Sequence, residues 1–85
     1  MTWKVEITGP AQKDLRKLPA ADQARVEAAL ATMRDDPFAG DIVRLKAQPT
    51  AWRRRVGNYR IFYDVYLDYR MVVVVAVLRR SSTTY

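Results

Sequence analysis

Eight of the chain's eleven arginines lie beyond Gly40: Arg44, the run Arg53-Arg54-Arg55, Arg60, Arg70 and the pair Arg79-Arg80. A guanidinium is a planar fork of donors that fits two phosphate oxygens at once, and it stays charged at any working pH. Such groups bind phosphate and stabilise negative charge building on it in a transition state, often the largest single catalytic contribution. They cannot accept a proton. The usual proton carriers are scarce, because the chain has no histidine and its carboxylates after residue 40 are Asp41, Asp64 and Asp68. A histidine triad, a paired-histidine phosphodiesterase and histidine-ligated metal centres are therefore excluded. With no cysteine, so are disulfides and a thiolate zinc site. The chemistry left is metal-independent and electrostatic, and no cofactor is called for.

The elements that hold these groups must come from a short chain. Eighty-five residues, 49% hydrophobic and 28% charged, make one globular domain over 1–85. A domain of this size buries only about 60% of its unfolded surface, so its stability is marginal. Fifteen bases against nine acids give a net charge of +6. The first forty residues carry six of each sign, so the excess sits in the second half. Nucleic acid and an acidic protein are the leading partners for such a surface, and plain solubility is the alternative. The longest apolar run, Met71 to Leu78, is far below the roughly 20 residues that span a bilayer. Lys4 and Glu6 interrupt the first apolar stretch, which excludes a signal peptide and leads us to expect a cytoplasmic protein with no membrane contact.

Thr2 to Ile7 alternates, with Trp3, Val5 and Ile7 on one side, and reads as a half-buried strand. Gly9-Pro10 ends it, and Thr8 is placed to cap a helix over Ala11–Leu18 that Pro19 stops. A second helix is expected from Ala21 to Arg34, with Val26, Ala29, Leu30 and Met33 on its apolar face. Strands are expected at Ile42–Leu45, Trp52–Val56, Tyr59–Tyr66 and Met71–Leu78, with a turn at Gly57-Asn58. The valine run lacks alternation and predicts a central strand covered on both faces. The fold class is thus α+β: an N-terminal strand, a helical hairpin, then a C-terminal antiparallel sheet, β-α-α-β-β-β. The hairpin must cover one sheet face and leave the other partly open for the arginines. Arg53 and Arg55 share that face by two-residue spacing. Arg54 points the other way and is expected to pair with a carboxylate from the helices.

This layout resembles the RelE/ParE superfamily of bacterial toxins. The likeness is carried by Arg44-Leu45-Lys46, by Trp52-Arg53-Arg54-Arg55-Val56-Gly57-Asn58-Tyr59-Arg60-Ile61-Phe62-Tyr63, by Leu15-Arg16-Lys17-Leu18-Pro19 and by a valine strand ending in Arg79-Arg80. In the RelE branch it implies a ribosome-dependent endoribonuclease, an mRNA interferase that cuts mRNA in the A site by attack of the 2′-hydroxyl and so inhibits translation. A cognate antitoxin, acidic and partly disordered, holds it inactive. In the ParE branch the fold is shared and the target is DNA gyrase. A non-catalytic nucleic-acid-binding module is a further alternative.

On the resemblance, Arg60 stands at the phosphate-stabilising position. Arg79, with Arg80 as its rival, stands where an arginine assists the leaving oxygen. Arg53 and Arg55 match catalytic positions where the family pattern has lysines. Tyr85 falls where a tail tyrosine stacks on the mRNA base, and Arg44 and Lys46 fall where bases contact ribosomal RNA, with Arg80 beside them as an RNA contact. Tyr59, Tyr63 and Trp52 are read as core.

Overall fold

The computed structural model describes residues 2–46, 48 and 50–80. Strand β1 (Lys4–Ile7) leads to helices α1 (Gly9–Arg16) and α2 (Ala20–Met33), and four strands follow: β2 (Asp41–Arg44), β3 (Ala51–Val56), β4 (Tyr59–Tyr66) and β5 (Met71–Arg79). All four strands expected after the helices are present; the short one expected at Ile42–Leu45 runs Asp41–Arg44, one residue earlier, and pairs along the edge of β3. The strands form one sheet in the order β1-β5-β4-β3-β2. β2 to β5 pair antiparallel, as short connections require, while β1 lies parallel to β5 because the helical hairpin carries the chain back across the sheet.

Local chemistry sets these boundaries. Thr8 takes the N-cap of α1, its hydroxyl accepting from the Ala11 N–H at 3.3 Å, and Pro10 lies in the first turn, where its missing N–H costs nothing. Pro19 separates the helices. Gly57 opens the two-residue β3–β4 turn with φ +56°, the glycine-first pattern of a tight hairpin.

Both helices lie on one face of the sheet. Ala11 and Leu15 of α1 and Val26, Ala29, Leu30 and Met33 of α2 pack on Tyr59, Ile61, Tyr63 and Val65 of β4 and Val72, Val74 and Val77 of β5. β4 alternates buried and half-exposed along nearly its whole length. β5 behaves differently: Phe62 faces Ala76 but Tyr63 faces Val74, so Val75 is an extra residue, a β-bulge. The bulge explains the missing alternation in the valine run. It lets Val72, Val74 and Val77 all face the helices, while Val75 and Leu78 are 39% and 49% exposed on the opposite side. The strand is interior, as expected, but it is covered on one face, not two.

Beyond Ile7 the edge of β5 has no strand beside it, and α1 takes over its backbone groups. The Thr8 hydroxyl donates to the Val75 carbonyl at 3.4 Å, and the Asp14 carboxylate accepts from the Val77 N–H at 3.0 Å. Two buried phenols tie the sheet to the helical layer: Tyr59 donates to Asp22 and Tyr63 to the Pro37 carbonyl, each at 2.8 Å. Burial pushes the Tyr63 phenol up to about 12, because the phenolate would lose its hydration.

The sign of that shift gives a prediction. The folded state holds the Tyr63 proton more tightly than the unfolded chain, whose phenol titrates near 10. This stability is complete below pH 10 and is lost as pH rises through about 12. Denaturant unfolding of the wild type should therefore weaken steeply between pH 10 and 12. Tyr63→Phe should flatten that slope, at a cost of about 1–3 kcal/mol at neutral pH for the orphaned Pro37 carbonyl.

Candidate nucleic-acid interface

The alternation of β4 turns Arg60, Phe62 and Asp64 away from the helices, and the register extends their rows across the open face. The first row reads Asp41 (β2), Arg55 (β3), Arg60 (β4) and Leu78 (β5). The second reads Val43, Arg53, Phe62 and Ala76. Behind it come Ala51, Asp64 and Val73. Three arginines therefore meet at the β3–β4 end of the sheet, with Arg55 and Arg60 directly opposite each other and Cα atoms about 5 Å apart.

Like charges placed opposite each other are destabilising, yet none of the three has an ion-pair partner among the described residues. The one ion pair among the described residues is Lys4 with Glu6 at 3.6 Å, on the exposed side of β1. Asp41 stands opposite Arg55 but forms no contact within ion-pair distance. An array of forked donors held on a sheet, without an ion-pair partner among the described residues, has the charge and geometry to receive a polyanion.

Arg54, between Arg53 and Arg55, faces the helices as the alternation requires. Its partner is not the expected carboxylate. Nη1 donates to the Thr32 hydroxyl at 2.7 Å and the Ala29 carbonyl at 3.2 Å, in the last turn of α2, where the helix dipole favours a cation. Gly40 makes room for it: φ is +87°, and a Cβ there would stand 2.7 Å from Arg54 Nε.

The other sequence-chosen residues separate. Arg44 is opposite Trp52 and so belongs to the helix side of the edge strand; Lys46 follows in the exposed turn after β2. Arg79 is opposite Tyr59, also on the helix side, beside a hollow lined by Lys17, Leu18 and Pro19. Its charge opposes the effect of Asp22 on the Tyr59 phenol, which the hydrogen bond to Asp22, burial and the Asp22 charge together raise above 10. Arg80 donates its N–H to the Asn58 carbonyl. That bond prolongs the ladder by one residue and returns Arg80, by alternation, to the face of Arg60. Tyr85 lies outside the described residues.

Sequence reasoning passed over two members of these rows. Asp41 was a residue before the expected strand, and Phe62 was one aromatic among several. Counting parity outward from Arg60 would have found Phe62; Asp41 needed the β2–β3 register, which no local pattern encodes. Among the described residues no three acidic side chains gather where they could hold a metal ion, and no helix there is long and apolar enough to cross a membrane.

Residues 5–83 match the family model for the ParE toxin of type II toxin–antitoxin systems. The chain is 31% identical over 85 residues to a protein of Methanocaldococcus jannaschii named as toxin RelE1, covering 96% of this chain and 94% of that one. Among solved structures it resembles the archaeal RelE–RelB complex of Pyrococcus horikoshii, with a TM-score of 0.86 at 24% identity over 98% of this chain and 100% of that one. It also resembles the RelBE2 toxin–antitoxin complex of Mycobacterium tuberculosis, with a TM-score of 0.81 at 28% identity over 94% and 100% of the two chains.

The two arginine classes should separate in a paired measurement. Arg60→Gln relieves a like-charge contact, so thermal stability should hold or rise by up to about 1 kcal/mol. Its affinity for a short single-stranded RNA should fall, with the salt slope shallower by about 0.7 per lost phosphate contact. Arg54→Ala should leave that slope unchanged while costing about 1.5–3 kcal/mol of stability through the lost charge-assisted bonds.

Proposed function

The chain belongs to the ParE toxin family of type II toxin–antitoxin systems and is RelE-like, and from that premise we propose that it is a ribosome-dependent endoribonuclease that cuts mRNA in the A site and so arrests translation. The observation that carries this reading is the juxtaposition of Arg55 and Arg60 on an open sheet face, beside Arg53, with no ion pair to any of them among the described residues. A gathering of cations of this kind suits the dianionic phosphorane formed when a ribose 2′-hydroxyl attacks its own phosphate.

In the proposed reaction Arg55 and Arg60 hold the two non-bridging phosphate oxygens, with Arg53 neutralising the adjacent phosphate. The 2′-oxygen bonds to phosphorus and its proton passes to Asp41, the carboxylate of the Arg55–Arg60 row. The bond from phosphorus to the 5′-oxygen breaks, and that oxygen takes a proton from water under the positive charge of Arg80. The hydroxide so formed is neutralised by the proton that Asp41 gives up, which restores the carboxylate. The products are a 2′,3′-cyclic phosphate and a free 5′-hydroxyl. Arg79 and Arg44 serve on the helix side of the sheet, as contacts to surrounding ribosomal RNA together with Lys46. No step needs a metal.

An antitoxin completes the reading. The similar structure from Mycobacterium tuberculosis is a toxin–antitoxin complex, and that from Pyrococcus horikoshii is a complex of RelE with RelB. A chain of +6 with an unneutralised arginine row suits an acidic, partly disordered segment that folds on it. A second reading, gyrase inhibition without nuclease chemistry, is favoured by the family model that matches and by the separation of Arg44 and Arg79 from the other arginines.

End-mapping of mRNA in a reconstituted translation reaction tests the proposal. Cuts should appear at A-site codons with ribosomes present and be absent on naked mRNA. Arg60→Ala should slow cleavage by about 100-fold or more, and Asp41→Asn by at least about 100-fold. Intact mRNA together with inhibited gyrase supercoiling would establish the second reading instead.

A further inference from the structure

The open face carries a second feature beside the arginines. Leu45, Ala51, Phe62, Val75, Ala76 and Leu78 line a shallow groove of about 320 Å³, with Asp64 at one end. Phe62 occupies the same row as Arg53 and stands one two-residue step along β4 from Arg60, about 7 Å. The groove exists because of sequence choices on both neighbours. Ala51 and Ala76 are small where β3 and β5 flank β4, and the bulge at Val75 interrupts the β4–β5 ladder next to Phe62.

We propose that this groove is a nucleobase slot, in which Phe62 is the stacking platform for the base of the nucleotide whose phosphate lies on Arg55 and Arg60. The inference rests on RNA being the ligand of the arginine row and adds to that reading the subsite that grips the base. Three observations favour this occupant. The slot adjoins the cations, with Phe62 opposite Arg53 and Leu78 opposite Arg60, so a ligand filling it is drawn in by charge opposite to that of a nucleotide's phosphate. Its separation from Arg60 is that of a base from its phosphate across one sugar. Its walls are apolar, and its one charged group is an acceptor: Asp64 Oδ1 accepts from the Thr50 hydroxyl at 3.2 Å, which leaves the other carboxylate oxygen for a donor. Every nucleobase has an N–H on its pairing edge that can meet that oxygen. Stacking on an aromatic ring tolerates any base, since every base has a π face.

The test uses the intact protein and two short single-stranded RNA probes, one with a base at the central position and one abasic there, without ribosomes. The wild type should bind the base-containing probe about tenfold more tightly. Phe62→Leu keeps apolar volume but removes the flat ring and should bring the two affinities within about twofold. Ala76→Leu fills the slot instead of emptying it and should do the same, with each fold verified by circular dichroism. Arg60→Ala should weaken both probes alike and keep their ratio. Equal wild-type affinities for the two probes, or a ratio unchanged in both slot variants, would overturn the proposal. So would a pattern in which the slot variants lose an antitoxin peptide while retaining base discrimination, since the groove would then belong to that partner. Base discrimination without cleavage in the ribosomal assay would leave the slot standing and remove the nuclease reading alone.

Discussion

The arrangement of this molecule depends on the parity of β4. Tyr59, Ile61, Tyr63 and Val65 must all be buried, because together they form the sheet's half of a small core beneath two helices. A slip of one residue would exchange that set for Arg60, Phe62, Asp64 and Tyr66, placing a guanidinium and a carboxylate in an apolar interior. The penalty fixes the register against β3 on one side and β5 on the other. Arg60 thus reaches the open face because its neighbours cannot. The position of the charges is a by-product of hydrophobic burial, and so is held with the rigidity of the core.

Three consecutive arginines illustrate how one residue type takes two roles under this constraint. Arg54 is spent on architecture, its guanidinium closing the end of α2 through Thr32 and Ala29. Arg53 and Arg55 flank it on the other face and have no ion-pair partner among the described residues. The free protein keeps like charges opposite each other at Arg55 and Arg60, an arrangement that a merely stable fold would have relieved. Retained repulsion of this kind is a familiar mark of a surface shaped for a ligand of opposite sign, where a rule of stability is broken locally and compensated in the core.

Much of the fold was legible because the local signals agreed. The Thr8 cap, the Pro19 break, the Gly57-Asn58 turn and the strict alternation of Tyr59–Tyr66 each sit within a few residues of their cause. The strand pairings that decide which side chains share a row are not local. Asp41 comes opposite Arg55 only through the β2–β3 register, and β1 runs parallel to β5 only because the helices cross the sheet. Arg54 was placed on the correct face, but its partner was misjudged: carbonyl and hydroxyl oxygens at a helix end satisfy a cation as a carboxylate would. Arg79 shows the sharper limit. A motif position specifies distance along the chain, whereas a sheet also demands knowledge of the side.

That side is decided by a single residue, Val75. It acts as a frame shift in the geometry of β5, changing which odd-numbered and even-numbered positions face the helices. Were the strand regular from Val74 onward, Arg79 would fall opposite Asn58 and join Arg60; with the extra valine it falls opposite Tyr59, and Arg80 takes the place beside Arg60. The adjacent pair at the strand's end is thus a sorted couple, one arginine dealt to each surface of the sheet. Two toxins of this fold could match letter for letter around their terminal arginines and still present different ones to the same ligand, if only one of them carries the inserted residue. For proteins built this way, homology of position is completed by counting bulges.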